Sequence, residues 1–264
     1  MRFNTQGIIV HIKTLQENGC IVHCITKDRG FISGFVGKIH SKKVKNTISI
    51  GNIIAIGYYG KEKSLGRIVP ELIKSYTGSC IDNQLRLFVI LCTCENAYFL
   101  CGKYHGLQDN NTANAGTKLI FDNIRLFFEQ CSAMSDTILD NILIAQFIII
   151  IKILLTESGY GFNLSQCVST KETNLDELKF ISPKSASAVS RAAAANYKNV
   201  FLPLPKFFIT HKIDISISVK DITDGLLIVD RFLKKVSQSY VSIQLPNIWD
   251  KTKNLIDKIL ERQS

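Results

Sequence analysis

Residues 20–36 have the sequence CIVHCITKDRGFISGFV, and this stretch sets the architecture of the first part of the chain. Cys20–Thr26 and Phe31–Val36 are short, rich in β-branched and aromatic residues, and bounded by polar residues, which is typical of strands. Between them, Lys27-Asp28-Arg29-Gly30 is a turn signal. The stretch therefore predicts a β-hairpin.

Three more strands are predicted around this hairpin. Gln6–Ile12 precedes it, and Asn52–Tyr59 and Leu65–Ile73 follow it. Five short strands in so short a segment suit a small closed barrel, and the OB-fold is a five-stranded barrel of this size. We therefore predict an N-terminal OB-fold. The number of strands leaves an SH3-like barrel open as the alternative.

After Ser79 the pattern becomes helical, with apolar residues three and four positions apart. Helices are predicted at Leu85–Tyr104, at Ala115–Cys131, from an N-cap at Ser135-Asp136-Thr137 to about Ser158, at Ile222–Ser237 and at Asn247–Arg262. A polar loop, 106–114, joins the first two, and an irregular insert with three prolines spans 159–206. The chain is thus predicted to be a multi-domain α+β protein, with an OB-fold domain at 1–79 and a helical domain at 80–264.

The positive charge of the chain is concentrated in the predicted barrel. The 264 residues carry a net charge of +10, and residues 1–79 alone hold twelve Lys and Arg against four Asp and Glu, a net charge of +8. Such a basic excess favours a polyanionic partner: nucleic acid, an anionic membrane or an acidic protein.

Two loops of the predicted barrel concentrate these cations. Residues 37–46 have the sequence GKIHSKKVKN, and residues 60–63 have the sequence GKEK. Because phosphate contacts give sequence-independent affinity for nucleic acid, the predicted DNA-binding residues are Arg29, Lys38, Lys42, Lys43, Lys45, Lys61, Lys63 and Arg67. Any single one of these lysines could instead be an ordinary solvated surface residue that makes no contact with DNA.

Aromatic side chains on the strands could stack on bases. Phe31 and Phe35 are expected to fill the barrel. Tyr58 and Tyr59 are adjacent on a strand and point to opposite faces, so one of them should be exposed, and the sequence does not say which.

No pattern typical of an enzyme is present. The sequence contains neither a phosphate-binding Gly-rich loop nor a Gly-x-Ser-x-Gly nucleophile motif, and its carboxylates and five histidines are dispersed. Cys20 and Cys24 share one face of a strand and His23 lies on the other, so buried thiols are favoured over a metal site. We expect no catalytic residues, no cofactor and no metal.

The expected location is the cytoplasm. Residues 1–10 have no signal-peptide pattern, so the eight cysteines are expected to be reduced thiols. The most apolar stretch, Ile142–Leu155, is too short to cross a bilayer and is interpreted as a buried core helix. No membrane partner is expected.

Two groups of segments resemble the RecO family of bacterial DNA-repair proteins. The first group is GIIV at 7–10, TKDRG at 26–30 and SKK at 41–43. The second group is ESGYGFNLSQC at 157–167, FISPKS at 180–185 and LPLP at 202–205. The order of barrel, helical bundle, irregular insert and terminal helices also fits the family.

This resemblance implies an N-terminal OB-fold that binds single- and double-stranded DNA, and a helical domain that contacts RecR and the C-terminal tail of single-strand-binding protein. It also implies strand annealing and help in loading RecA, with the protein associated with the nucleoid. Lys184, Arg191 and Lys206 flank apolar residues and are the candidates for binding that acidic tail. Ordinary surface cations are an equally good interpretation of these three residues.

In one respect the sequence departs from the family. Some members have a four-cysteine zinc site in the insert, whereas here Cys167 stands alone and 168–200 contains no Cys or His. Because a tetrahedral zinc site needs four ligands, no zinc is predicted there. The competing functional hypothesis is an RNA-binding or ribosome-associated OB-fold protein, which would share the basic barrel.

Overall fold

The computed structural model describes residues 1–15, 19–61, 64–102, 115–133, 140–195, 197, 200–239 and 244–263. The chain forms two compact units, Met1–Met134 and Ser135–Ser264. The predicted polar loop at 106–114 and the predicted N-cap at 135–137 lie outside the described residues.

Five strands of the first unit close into a barrel. They are β1 (Arg2–Leu15), β2 (Gly19–Thr26), β3 (Phe31–Gly37), β4 (Ile53–Tyr59) and β5 (Gly66–Lys74). Their order is β1-β2-β3-β5-β4, with β4 pairing back to β1. The β3–β5 pair is parallel and joins Gly34 to Gly66, whereas the other pairs are antiparallel. The predicted OB-like fold is confirmed.

The hairpin between β2 and β3 is closed by a hydroxyl group and a glycine. Gly30 has a φ of +70°, which favours glycine. The backbone amide of Thr26 donates to the Gly30 carbonyl at 2.9 Å, and the Thr26 hydroxyl accepts from the amide of Arg29 at 2.9 Å. The turn therefore lies at the predicted segment, 27–30, and is closed by Thr26 and Gly30.

The connection from β3 to β4 contains a short helix, where the sequence predicted a loop. This helix, α1 (Lys42–Thr47), begins after Ser41, whose hydroxyl accepts from the amide of Val44. Val44 and Ile48 are four residues apart and both pack against the barrel core, together with Ile39. The lysines dominate the composition, but this apolar pair holds the segment in helical form.

Two further helices belong to the first unit, which therefore extends well beyond the predicted boundary at residue 79. α2 (Gln84–Ala97) continues into a π-turn at Tyr98–Gly102, and α3 is Ala115–Ala133. α2 packs against β1, and α3 packs against β1 and β2. These contacts bury apolar helix faces on the barrel, so the helices join its core rather than a separate bundle.

The contact between α2 and β1 is partly polar. His11 Nδ1 lies 3.1 Å from Glu95 Oε1, and the His11 ring stacks on Tyr98 with 4.1 Å between the ring centroids. Gln84–Gly102 is long and apolar enough to cross a bilayer by length and composition alone, but 61% of its most apolar window is buried. Within the described residues it is a core helix of the first unit.

The second unit combines helices with a small sheet. Its helices are α4 (Asp140–Glu157), α5 (Arg191–Ala194), α6 (Lys206–Thr210), α7 (Val219–Gln238) and α8 (Asn247–Glu261). α7 packs against both α4 and α8. The predicted irregular insert contains a three-stranded antiparallel sheet: β6 (Leu178–Ile181) lies between β7 (Ala188–Ser190) and β8 (Leu202–Pro203). The predicted core stretch of α4 is buried over most of its length.

Candidate nucleic-acid interface

The first group of predicted DNA-binding residues lies on the connection between β3 and β4. Lys38, Lys42 and Lys45 are exposed. Lys43 belongs to the same helix, α1, but its side chain is outside the described part of the structure. Among the described residues, no carboxylate forms an ion pair with Lys38, Lys42 or Lys45. Their charges are therefore not neutralised by any described acid.

The second group lies on the β2–β3 turn, after β4 and on β5. Arg29, Lys61 and Arg67 are exposed, and Lys63 lies outside the described residues. The Arg29 guanidinium lies 5.1 Å from the centroid of the Phe3 ring and 3.9 Å from an Asp28 carboxylate oxygen. A contact this long between exposed groups leaves the charge of Arg29 largely available.

Strand β5 connects the two groups. α1 packs against β5, and Arg67 is a residue of β5. Arg67 is the register partner of Tyr59 on β4 and of Phe35 on β3. The fold thus brings the helix that carries Lys42 and Lys45 to the strand that carries Arg67.

The aromatic residues are arranged differently from the prediction. Phe31 and Phe35 were expected to fill the barrel, but both are only half-buried, because Ile32 and Val36 take the inward positions of β3. Tyr58 is buried, and its hydroxyl accepts from the amide of Gly66 at 3.1 Å. Tyr59 is therefore the exposed member of its pair, with 41% of its surface accessible.

The cysteines are structural. All eight are buried, and none of them forms a disulfide. Burial raises the pKa of the Cys20 and Cys24 thiols, which keeps them protonated and unreactive at neutral pH. His23 points the other way and forms a 2.7 Å hydrogen bond with the Ser33 hydroxyl. Burial, with the charges of His11 and Lys13, lowers the pKa of His23 to about 4.

Cys167 is the one cysteine of the insert. Its burial raises the thiol pKa, but hydrogen bonds with Ser190 and Thr170 outweigh this effect and bring the pKa to about 6. The Ser190 amide donates to its sulfur at 3.2 Å. Over the part of the chain that the structure describes, no cluster of three or more metal-ligating side chains is found. The expected absence of zinc remains a prediction from the sequence.

The sheet of the insert separates the three cations predicted to bind an acidic tail. Arg191 follows β7, where its amide donates to the Glu177 carbonyl, and Lys206 forms an ion pair with Asp176 at 2.9 Å. Both therefore lie where β6 begins. Lys184 lies in the turn after β6, at the opposite end of the sheet.

Two basic residues outside the predicted sites lie over aromatic rings. The Arg2 guanidinium is 4.8 Å from the centroid of the Tyr59 ring. Lys235 is 5.8 Å from the Phe232 ring, and its ammonium group donates to the carbonyl oxygens of Pro183 and Lys184. A signal for Arg2 existed, because polar residues at 2, 4 and 6 continue the alternation of β1 towards the N-terminus.

The sequence matches known proteins over both units. The family model described as "Recombination protein O N terminal" matches residues 1–76, and the one described as "Recombination protein O C terminal" matches residues 137–241. The DNA repair protein RecO of Rickettsia africae is 31% identical over 221 residues, which cover 83% of this chain and 85% of the relative. RecO of Orientia tsutsugamushi (strain Boryong) is 30% identical over 210 residues, covering 79% and 80%. This chain belongs to the RecO family of DNA repair proteins.

Proposed function

We propose that this chain acts as a non-enzymatic recombination mediator at the cytoplasmic nucleoid. It binds single- and double-stranded DNA, anneals complementary strands, and with RecR helps to load RecA onto strands coated with single-strand-binding protein. Membership of a DNA-repair family supports this proposal at the level of the process. The mode of action rests on the charge of the barrel.

The observation that carries the proposal is the set of exposed cations without described acidic partners on α1 and β5. Each phosphate that such a cation contacts releases counterions from DNA, which gives affinity independent of sequence. Two complementary strands repel each other through their phosphates. A barrel that neutralises phosphates on both strands lowers this repulsion and makes pairing faster. This action needs no covalent step.

Reversing the charge of α1 tests the proposal. The triple variant Lys42→Glu, Lys43→Glu and Lys45→Glu should lose annealing of complementary oligonucleotides and bind DNA weakly. The matched control is Lys212→Glu, Lys251→Glu and Lys258→Glu, which reverses three exposed lysines of the second unit and changes the net charge equally. Circular dichroism should show that both variants remain folded.

The comparison of these two triple variants separates a local effect from a general loss of positive charge. Normal annealing by the α1 variant, or equal loss in the control, would refute a DNA-binding role for α1. The competing hypothesis of an RNA-binding protein is tested by measuring how strongly structured RNA competes with the DNA duplex product for binding to the protein. Preferential binding to RNA by the unaltered protein would favour an RNA-binding or ribosome-associated function instead.

We further propose that the second unit binds RecR and the acidic C-terminal tail of single-strand-binding protein through Lys184, Arg191 and Lys206. Because β6 is four residues long, its two ends are about 10–13 Å apart, and an extended tail of about four residues would span them. Binding of a tail peptide should weaken in both Lys184→Glu and Arg191→Glu. Weakening in only one of them would restrict the site to that end of the sheet.

A further inference from the structure

Four side chains form a line across the outer surface of the barrel. Arg2 on β1 is the register partner of Tyr59 on β4, Tyr59 is the partner of Arg67 on β5, and Arg67 is the partner of Phe35 on β3. Register partners project to the same face of a sheet. The line crosses four strands, a distance of about 14 Å at the usual strand spacing.

The burial of the neighbouring residues shows that this line faces outwards. Tyr58 and Ile68, which precede and follow the line residues on β4 and β5, are buried in the barrel at 5% and 1% exposure. Arg2, Tyr59 and Arg67 are exposed, and Phe35 is half-buried. α2 packs on β1 at His11, in the other half of that strand. The line itself is open to solvent.

The line places the Tyr59 ring under one cation, Arg2, and next to a second one, Arg67, on the neighbouring strand. The Arg2 guanidinium lies over one face of the Tyr59 ring, 4.8 Å from its centroid, so a base that stacks on this face displaces the exposed Arg2 side chain. The ring lies over Gly57, where an added Cβ would be 3.4 Å from the ring carbon Cε2. Two residues along the same strands, on the same outer face, Gly57 of β4 pairs with Val69 of β5, which is 47% exposed. At these two positions the sheet surface carries only small, uncharged residues.

The charge of the two arginines is not neutralised by described acids. Neither Arg2 nor Arg67 forms an ion pair with any described carboxylate. An exposed ring with one arginine over it and another on the neighbouring strand combines the two features that bind a single nucleic-acid strand: a ring for base stacking and cations for the phosphates. An apolar protein partner would gain nothing from the two arginines.

We infer that Tyr59, flanked by Arg2 and Arg67, is a base-stacking position that makes the barrel prefer single-stranded to double-stranded DNA. This inference rests on the proposed DNA-binding function. A duplex offers phosphates to the cations of α1, but its base faces are stacked on one another and cannot reach the ring. A single strand offers both, so the tyrosine adds affinity for single strands alone.

Substitution of Tyr59 in the full-length protein tests the inference. Binding of a labelled oligothymidylate and of a DNA duplex of equal length is measured by fluorescence anisotropy. Tyr59→Ala should weaken binding of the single strand by roughly 5- to 100-fold, the usual effect of removing one stacked base contact, and binding of the duplex by less than about twofold. Tyr59→Phe should behave as the unaltered protein, and Tyr59→Leu should behave as Tyr59→Ala.

Two further measurements distinguish stacking from a loss of structure. Tyr197 is 59% exposed in the second unit, so Tyr197→Ala is the control for removal of a surface tyrosine. Trp249 is the only tryptophan and is buried, so Tyr59→Trp introduces an exposed one. Its emission should be quenched by the oligothymidylate and unaffected by the duplex.

Different results overturn the inference and the proposed function. If the unaltered protein binds neither DNA, the proposed function fails. If it binds both and Tyr59→Ala keeps the same preference, or the Tyr59→Trp emission does not respond, the stacking position is wrong while DNA binding stands. That second result would leave this face of the barrel for contact with a protein.

Discussion

Several cations of the second unit are held in close ion pairs, whereas the predicted DNA-binding cations of the barrel that the structure describes, apart from Arg29, form no ion pair with a described acid. On the barrel, Lys38, Lys42, Lys45 and Arg67 project into solvent without an ion pair to any described acid. In the second unit, cations are paired at Lys206–Asp176, Lys234–Asp230 and Lys253–Asp257, and Lys152 is buried. A partly buried ion pair such as Lys234–Asp230 contributes to structure, whereas an exposed cation, even in an exposed pair such as Lys206–Asp176, stays available to a ligand. Changes in the second unit should therefore affect stability most, and changes on the barrel should affect binding most.

The largest effect on stability is expected at Asp230. This carboxylate is 8% exposed and accepts from the Trp249 indole at 2.8 Å and from the Lys234 ammonium at 2.9 Å. Asp230→Ala leaves the buried indole N–H without an acceptor, so the free energy of unfolding should fall by about 2–4 kcal/mol. Because Trp249 is the only tryptophan, its fluorescence during urea unfolding reports this unit directly.

The control for this variant is Asp250→Ala, which removes an exposed carboxylate from the first turn of the neighbouring helix α8. It should cost no more than about 1 kcal/mol, the range for an acid at a helix N-terminus. Equal losses in the two variants would contradict a special role of the Asp230 network.

A smaller effect, visible through its pH dependence, is expected at Lys152 on α4. Its ammonium group donates to the Phe208 carbonyl and, at 2.7 Å, to His211 Nε2, and it lies 5.0 Å from the centroid of the Phe208 ring. Burial lowers the pKa of Lys152 to about 8 from its usual 10.5. The folded protein thus holds this proton less tightly than the unfolded chain.

This difference makes the contribution of Lys152 to stability increase with pH. Below about pH 8 both states are protonated and the full cost of the buried charge is present. Between that pH and 10.5, the unfolded chain binds more protons than the folded protein, so the free energy of unfolding rises with pH. Relative to Lys152→Met, the unaltered protein should gain about 1–3 kcal/mol from pH 7 to about pH 10. Urea unfolding of both proteins across this range measures the gain, and a constant difference would show that Lys152 keeps its usual pKa.

The sequence was sufficient for the barrel because its strands are marked by local signals. β-Branched runs bounded by turn residues gave all five strands to within a few residues, except that β1 begins at Arg2 rather than Gln6. Local sequence signals did not predict the features that depend on tertiary contacts. The apolar pair Val44 and Ile48 makes a helix of a basic loop, and the packing of α2 and α3 on β1 moves the boundary of the first unit from 79 to 134.

The candidate site was predictable in its charge but not in its arrangement. The lysine-rich segment is visible in the sequence, but the line from Arg2 through Tyr59 and Arg67 to Phe35 depends on strand register between distant positions. The orientation of β3 was also ambiguous, because it has apolar residues on both faces: Phe31 and Phe35 on one, Ile32 and Val36 on the other. Periodicity gives two faces and does not say which of them is inside.

The smallest effect on stability is expected from neutralising the α1 cations, and it tests the other side of the contrast. In the double variant Lys42→Gln and Lys45→Gln, the free energy of unfolding should change by no more than about 0.5 kcal/mol, because neither lysine has an ion-pair partner among the described residues. If both contact phosphates, the slope of log affinity against log salt for a single strand should become shallower by up to about 1.4, roughly 0.7 for each lost contact. Circular dichroism during thermal unfolding and titrations at several salt concentrations measure the two quantities. A loss of stability above about 1 kcal/mol with an unchanged salt slope would show that these lysines stabilise the fold instead of binding DNA. Their role would then be that of Lys234, which pairs with Asp230 in the second unit.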